Sequence, residues 1–174
     1  MAKRLLVPAF ALLLLAAPAA LARRAGPRVG TDLKALDASV LAGLNAIRAA
    51  HGLVPLREDP ALAAAAYAHS AQMVADGYFA HASLDGAPFW TRLSAYARGA
   101  PRGAWSAGEN LLWASPGVDA AGALRLWMAS PGHRANILAP RWREVGVAAI
   151  HAGAAPGTYG GRPVTVITVD FGAR

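Results

Sequence analysis

The chain has 174 residues, with 17 lysines and arginines against 10 aspartates and glutamates, a formal net charge of +7, and no cysteine. The missing thiols exclude cysteine nucleophiles, cysteine-based metal sites and disulfide staples, so the fold rests on its core alone. The basic excess is mostly arginine and is scattered without interleaved aromatics, which argues against nucleic-acid recognition and leaves only an unspecific attraction to anionic envelope surfaces.

The first elements in chain order concern export. Lys3 and Arg4 precede an apolar run from Leu5 to Ala17, and Ala20-Leu21-Ala22 fits a small-x-small cleavage rule, so residues 1–22 read as a signal peptide. A retained membrane anchor is the alternative, but the run is short for a span of about 20 residues. Cleavage would leave 152 residues with 15 basic and 10 acidic side chains, suited to one domain. Residues 23–31 read as a linker and residues 32–174 as the domain.

A helix is expected from near Asp32, with Leu33, Leu36, Val40, Leu44 and Ile47 on one face and Gly52 as its stop. A second helix has sharper limits: Asp59 is a natural N-cap, Pro60 suits the first position and Gly77 ends it. Leu62, Ala66, His69 and Met73 form its inner row, and its many alanines imply a closely packed neighbour. Residues 78–107 are loop-rich with a short helix over 88–97. Residues 111–114 read as a strand directly after Gly108-Glu109-Asn110. A helix follows over 118–129, and Ser130-Pro131 re-caps a shorter one that ends before Pro140. Residues 145–150 and 164–171 read as strands, apolar at odd and even positions alike, so both faces of their sheet are covered. The Gly/Pro-rich stretch 152–163 joins them. Helices first and strands last predict an α+β domain, with helices on two sides of a small sheet.

Three side chains stand out chemically. His81 lies in the loop Tyr78-Phe79-Ala80-His81, Glu109 at a loop-to-strand junction, and His133 in the first turn of the short helix. The positive end of a helix dipole disfavours an imidazolium, so His133 is expected to be neutral, and able to ligate a metal or accept a proton. Two imidazoles and one carboxylate suffice for a catalytic zinc with an open position. The spacings of 28 and 24 residues are not a local metal motif, however. Plainer roles stand beside each of these: a loop anchor for His81, a turn-amide acceptor for Glu109, a helix cap for Ser130. His69 reads as a hydrogen-bonded core histidine, His51 as a helix-end residue and His151 as a solvated loop residue. There is no Gly-x-Ser-x-Gly elbow, His-Glu-x-x-His helix or glycine-rich phosphate loop.

Six blocks in order then carry a family resemblance. They are Leu44-Asn45-Ala46-Ile47-Arg48 with Pro55-Leu56; Asp59-Pro60-Ala61-Leu62; Tyr78-Phe79-Ala80-His81 with Asp85-Gly86; Ala107-Gly108-Glu109-Asn110; Trp127 through Leu138; and the closing pair Glu144-Val145-Gly146-Val147 and Val169-Asp170-Phe171-Gly172. Together they resemble the bacterial extracellular branch of the CAP superfamily (SCP/PR-1-like domains). The resemblance implies a three-layer α-β-α sandwich with a small central antiparallel sheet. It also implies a cleft lined by two histidines and two glutamates, which in some members binds zinc or another divalent cation. His81, Glu109 and His133 match three of those four positions, and Ser130 stands where the second glutamate belongs, removing one anionic ligand. The implied cleft is therefore His81, Glu109, Ser130 and His133, with His81 and His133 as the metal ligands. The implied function is a secreted or periplasmic monomer that binds a small lipid, a peptide or an envelope protein. The alternative is a hydrolase in which Glu109 or a histidine acts as general base, on a metal-bound water in one version.

Overall fold

The computed structural model describes residues 30–98 and 105–174. The signal peptide and nearly all of the linker read from the sequence lie outside them. Among the described residues no helix is long and apolar enough to cross a membrane.

Thr31–Asp32 form a short strand, β1, where the sequence reading placed the linker end and helix start. Helix α1 then spans Lys34–Ala50, and strand β2 is Arg57–Glu58. Helix α2 spans Pro60–Asp76 with the expected caps: Asp59 Oδ1 accepts from the N–H groups of Ala61 (2.8 Å) and Leu62 (3.0 Å). Gly77 closes α2 at φ +71°, a left-handed conformation that costs a residue with a Cβ. A 3-10 turn over Phe89–Leu93 leads into the single turn α3, Ser94–Ala97. Strand β3 is Ser106–Ala114, α4 is Ala120–Ala129 behind the N-cap Asp119, and α5 is Pro131–Ile137. Strands β4, Glu144–Ala152, and β5, Val164–Ala173, close the chain.

The sheet runs β1-β4-β5-β3, antiparallel throughout this path, with β2 added parallel to β4 on the edge that β1 also uses. Its two faces follow strand parity. Val145, Val147 and Ala149 of β4 join Ile167, Val169 and Phe171 of β5 against Val40 and Leu44 of α1, Trp127 of α4 and Ile137 of α5. Ile150 and Ala152 join Val164 and Val166 against Met73 and Val74 of α2. Each fully buried Leu or Phe on these faces contributes roughly 1.5–3 kcal/mol. The result is an α-β-α sandwich, as the layered reading expected.

Close approach explains two small residues. A Cβ on Gly146 would collide with the backbone of Leu62 and Ala63, so α2 lies directly on β4 there. Ser70 Oγ of α2 donates to Ala148 O (3.1 Å) and accepts from the Thr168 hydroxyl (2.8 Å), which pins the same contact with polar groups that are fully buried. On the opposite face Arg48 is fully buried, with no carboxylate partner among the described residues. Its guanidinium donates to the carbonyls of Val54 (3.0 Å), Ile137 (2.8 Å) and Ala139 (3.0 Å), tying the end of α1 to the end of α5.

Candidate functional site

His81 sits four residues beyond the left-handed Gly77, on a segment fixed from below. His69, fully buried in α2, donates its Nε2–H to Ala80 O (2.9 Å), the carbonyl just before His81. Tyr159 donates to Tyr78 O (2.8 Å), and Tyr78 in turn donates to Gln72 Oε1 (2.9 Å). The core role expected for His69 is thus met. Burial, followed by the nearby Arg92 charge, pulls its pKa down to about 4.

Glu109 lies inside β3 rather than at the strand's entrance, because pairing with β5 begins at Ser106. Its carboxylate is only 1% exposed, and both oxygens are used. Oε1 accepts from His81 Nδ1 at 2.7 Å, and Oε2 accepts from Arg92 Nη2. Because an ionised carboxylate only accepts, His81 must carry its proton on Nδ1, which leaves Nε2 of a neutral ring as an acceptor. The His81 side chain is 56% exposed, so this acceptor faces solvent. Arg92, from the 3-10 turn, also donates through Nη1 to His81 O (2.8 Å) and Ser83 Oγ (3.2 Å). It was not among the residues singled out from sequence. The only signal would have been its position in the loop that carries His81.

Asp170 is Glu109's partner in the β3–β5 register and is fully buried. Neither of its oxygens has a hydrogen-bond donor among the described residues. Burial first, and then the Glu109 charge, push its carboxyl well above the ordinary range.

His133 is tied to the other side of β3 through its backbone. Asn110 Nδ2 donates to His133 O (3.1 Å), while Asn136 Nδ2 donates to Glu109 O (3.1 Å) and Asn110 Oδ1 (2.9 Å). These bonds lock α5 onto β3. The His133 pKa is lowered mainly by burial, with a smaller contribution from repulsion by His81 when that ring is protonated. The neutral ring expected from the helix dipole therefore has a different main cause. Ser130 sits between α4 and α5 in an extended conformation (φ −95°, ψ 119°), but its hydroxyl makes no cap hydrogen bond. The cap read from the sequence is a backbone and proline feature: Pro131 fills the first position and Arg134 N donates to Ser130 O (2.9 Å). His51 bonds Ile47 O through Nδ1 (2.9 Å) at the end of α1. His151 corrects the loop reading, since it lies within β4 and meets Thr165 Oγ1 at 3.1 Å.

A divalent cation does not fit this arrangement. Among the described residues no three or more His, Asp or Glu side chains are grouped to hold a metal ion. With Glu109 committed to His81 and Arg92, two imidazoles and the Ser130 hydroxyl remain, and a neutral hydroxyl is not among the usual zinc ligands of proteins. Beside the site an open hollow of about 510 Å³ is lined by Gln72, Ser83, Leu84, Asp85 and Arg92. Leu84 is exposed, as is Trp90 on the same segment.

A small, mainly antiparallel sheet between α2 on one face and α1, α4 and α5 on the other defines an SCP-type α-β-α domain. The chain belongs to the CAP family: the cysteine-rich secretory protein family matches residues 41–171. It is similar to the uncharacterised protein YkwD of Bacillus subtilis, 32% identical over 127 residues that make up 71% of this chain and 46% of YkwD. Among solved structures it resembles an extracellular SCP-domain protein of Bacillus anthracis, with 29% identity and a TM-score of 0.62 over 81% of this chain and 41% of that one. An outer surface protein of Borrelia burgdorferi shares the fold at 16% identity and a TM-score of 0.66, covering 83% of this chain and 98% of its own. The chain thus spans less than half the length of its Bacillus relatives.

Proposed function

We propose that this chain is an exported binding module that captures a peptide segment at the cleft formed by His81, Glu109, Ser130 and His133 and the hollow beside it. The observation that carries this reading is the dyad at the rim. Buried Glu109 holds the Nδ1–H of His81 at 2.7 Å, which leaves Nε2 as the free acceptor of that tautomer on a side chain that is 56% exposed. A peptide N–H or a hydroxyl satisfies that acceptor, and the adjoining hollow offers one apolar wall, Leu84, among the polar Gln72, Ser83 and Asp85. A few placed polar groups within a concave surface are what small-ligand and peptide recognition require.

The same dyad supports a second reading, since an oriented imidazole with a free Nε2 is also a general base. No serine hydroxyl is hydrogen-bonded to His81 or His133 among the described residues, and Ser83 Oγ is instead held by Arg92. A hydrolase would therefore have to activate water.

The test is nuclear magnetic resonance mapping of residues 23–174 with a pool of short extended peptides. Saturable shifts along residues 81–92, lost in His81→Ala, are expected, with no peptide cleaved. Cleavage that disappears in His81→Ala would establish the hydrolase instead, and shifts confined to other surfaces would reject the cleft. Export is tested by expressing the full chain in a bacterial host, where the mature form should begin at Arg23 outside the cytoplasm.

A further inference from the structure

We propose that Arg92 is the resident cation of this cleft: it holds the place at Glu109 that a divalent metal would otherwise need, and so sets the His81 ring in a metal-free arrangement. This deepens the binding reading above, but the experiment that tests it reads zinc and ring tautomer rather than peptide capture.

A carboxylate that is 1% exposed must be neutralised from nearby. Here the neutralising charge is intramolecular. Arg92, whose side chain is itself 12% exposed, bonds Glu109 Oε2 through Nη2. Its Nη1 simultaneously holds His81 O (2.8 Å) and Ser83 Oγ (3.2 Å). One guanidinium therefore does three things. It balances the buried charge, fixes the main chain of the residue whose ring Glu109 orients, and fixes the wall of the adjoining hollow. Glu109 is left with one free task, accepting the Nδ1–H of His81. A divalent ion bound to Glu109 would have to displace the guanidinium or sit beside it, with like charges a few ångströms apart in a poorly solvated pocket. Ser130, where a second carboxylate would have offset that repulsion, brings no charge. Arg92 is thus a positioning residue for His81, and the planar fork of its donors is what allows it to serve a carboxylate, a carbonyl and a hydroxyl oxygen at once.

Zinc chloride titration calorimetry on residues 23–174 at neutral pH provides the test. The wild type is expected to show no saturable zinc binding. Arg92→Gln should gain one site, with affinity raised about tenfold or more once the competing charge is gone. Arg92→Lys, which keeps the charge, should stay with the wild type, and Arg92→Gln combined with Glu109→Gln should lose the gained site. In the wild type, ¹⁵N resonances of the His81 ring should report the Nδ1–H tautomer and stay unchanged with equimolar zinc. One zinc held tightly by the wild type and lost in Glu109→Gln would overturn the assignment, as would a folded Arg92→Gln that binds zinc no better. Should that variant not fold, the wild-type ring decides: an Nε2–H tautomer, or one that shifts with zinc, rejects the proposal. Peptide capture that fails while zinc behaves as described would count against the binding reading alone.

Discussion

Glu109 and Asp170 stand opposite each other across the β3–β5 ladder, on the same face of the sheet, yet among the described residues only Glu109 has hydrogen-bond donors. Their difference is one of neighbours. Arg92 and His81 reach Glu109, while Asp170 lies deeper and meets no donor among the described residues. Keeping Asp170 protonated is the cheaper solution for a buried carboxyl beside the Glu109 carboxylate.

Asp170→Asn is expected to stabilise the protein at neutral pH. In the unfolded chain the acid ionises near its ordinary value of 3.8, whereas in the folded state burial and the Glu109 charge hold it protonated well above that value. Its contribution is therefore fully present below 3.8 and is lost as pH rises toward the elevated folded value. Asparagine mimics the protonated acid and removes the loss. Thermal melts at pH 7 should rise by a few degrees, about 1 kcal/mol or more, and the gain should vanish near pH 3. A melting point unchanged at pH 7 would mean that Asp170 has a partner in solution.

His69 predicts acid sensitivity of the opposite sign. Its folded pKa of about 4 lies below the unfolded 6.5, so it contributes stability above 6.5 that is lost as pH falls toward 4. The full loss is on the order of 3 kcal/mol. His69→Gln, which does not take up a proton, should flatten this part of the pH–stability curve from denaturant titrations.

Asp59→Ala should cost about 1–2 kcal/mol in urea unfolding. The carboxylate caps two amides of α2 and also accepts from Arg174 Nη2 at 2.8 Å, so the variant loses a helix start and a link to the chain end together. Asp59→Ser, which keeps the cap and loses the ion pair, should recover most of the loss.

Gly146→Ala should be among the most damaging single changes, costing about 3 kcal/mol or more, because the added methyl meets backbone rather than a movable side chain. Circular dichroism melts and soluble yield would read this directly. A variant as stable as the wild type would show that α2 can move off β4.

The sequence reading reached the limits of α2 and the strands β4 and β5 because each is a local signal. A cap residue, a proline, a left-handed glycine and a short continuous apolar run act over one or two turns of chain. It missed β1 and β2, which are two residues each and become strands only by pairing with β4. It put His151 in a loop because β4 continues past Ile150 only through pairing with distant strands, Thr31 of β1 on one side and Thr165 and Val164 of β5 on the other.

For the candidate site, chain order alone determined that His81, Glu109 and His133 were the side chains to watch, and that no thiol could join them. What each of them does was settled by folding. Arg92 acquires its role from an ion pair 17 residues away, and Asp170 from a register that sets it beside Glu109 and under α2. Charge balance and desolvation depend on which groups end up adjacent and on how much water is left between them, and neither quantity exists until the sheet and its helices have closed.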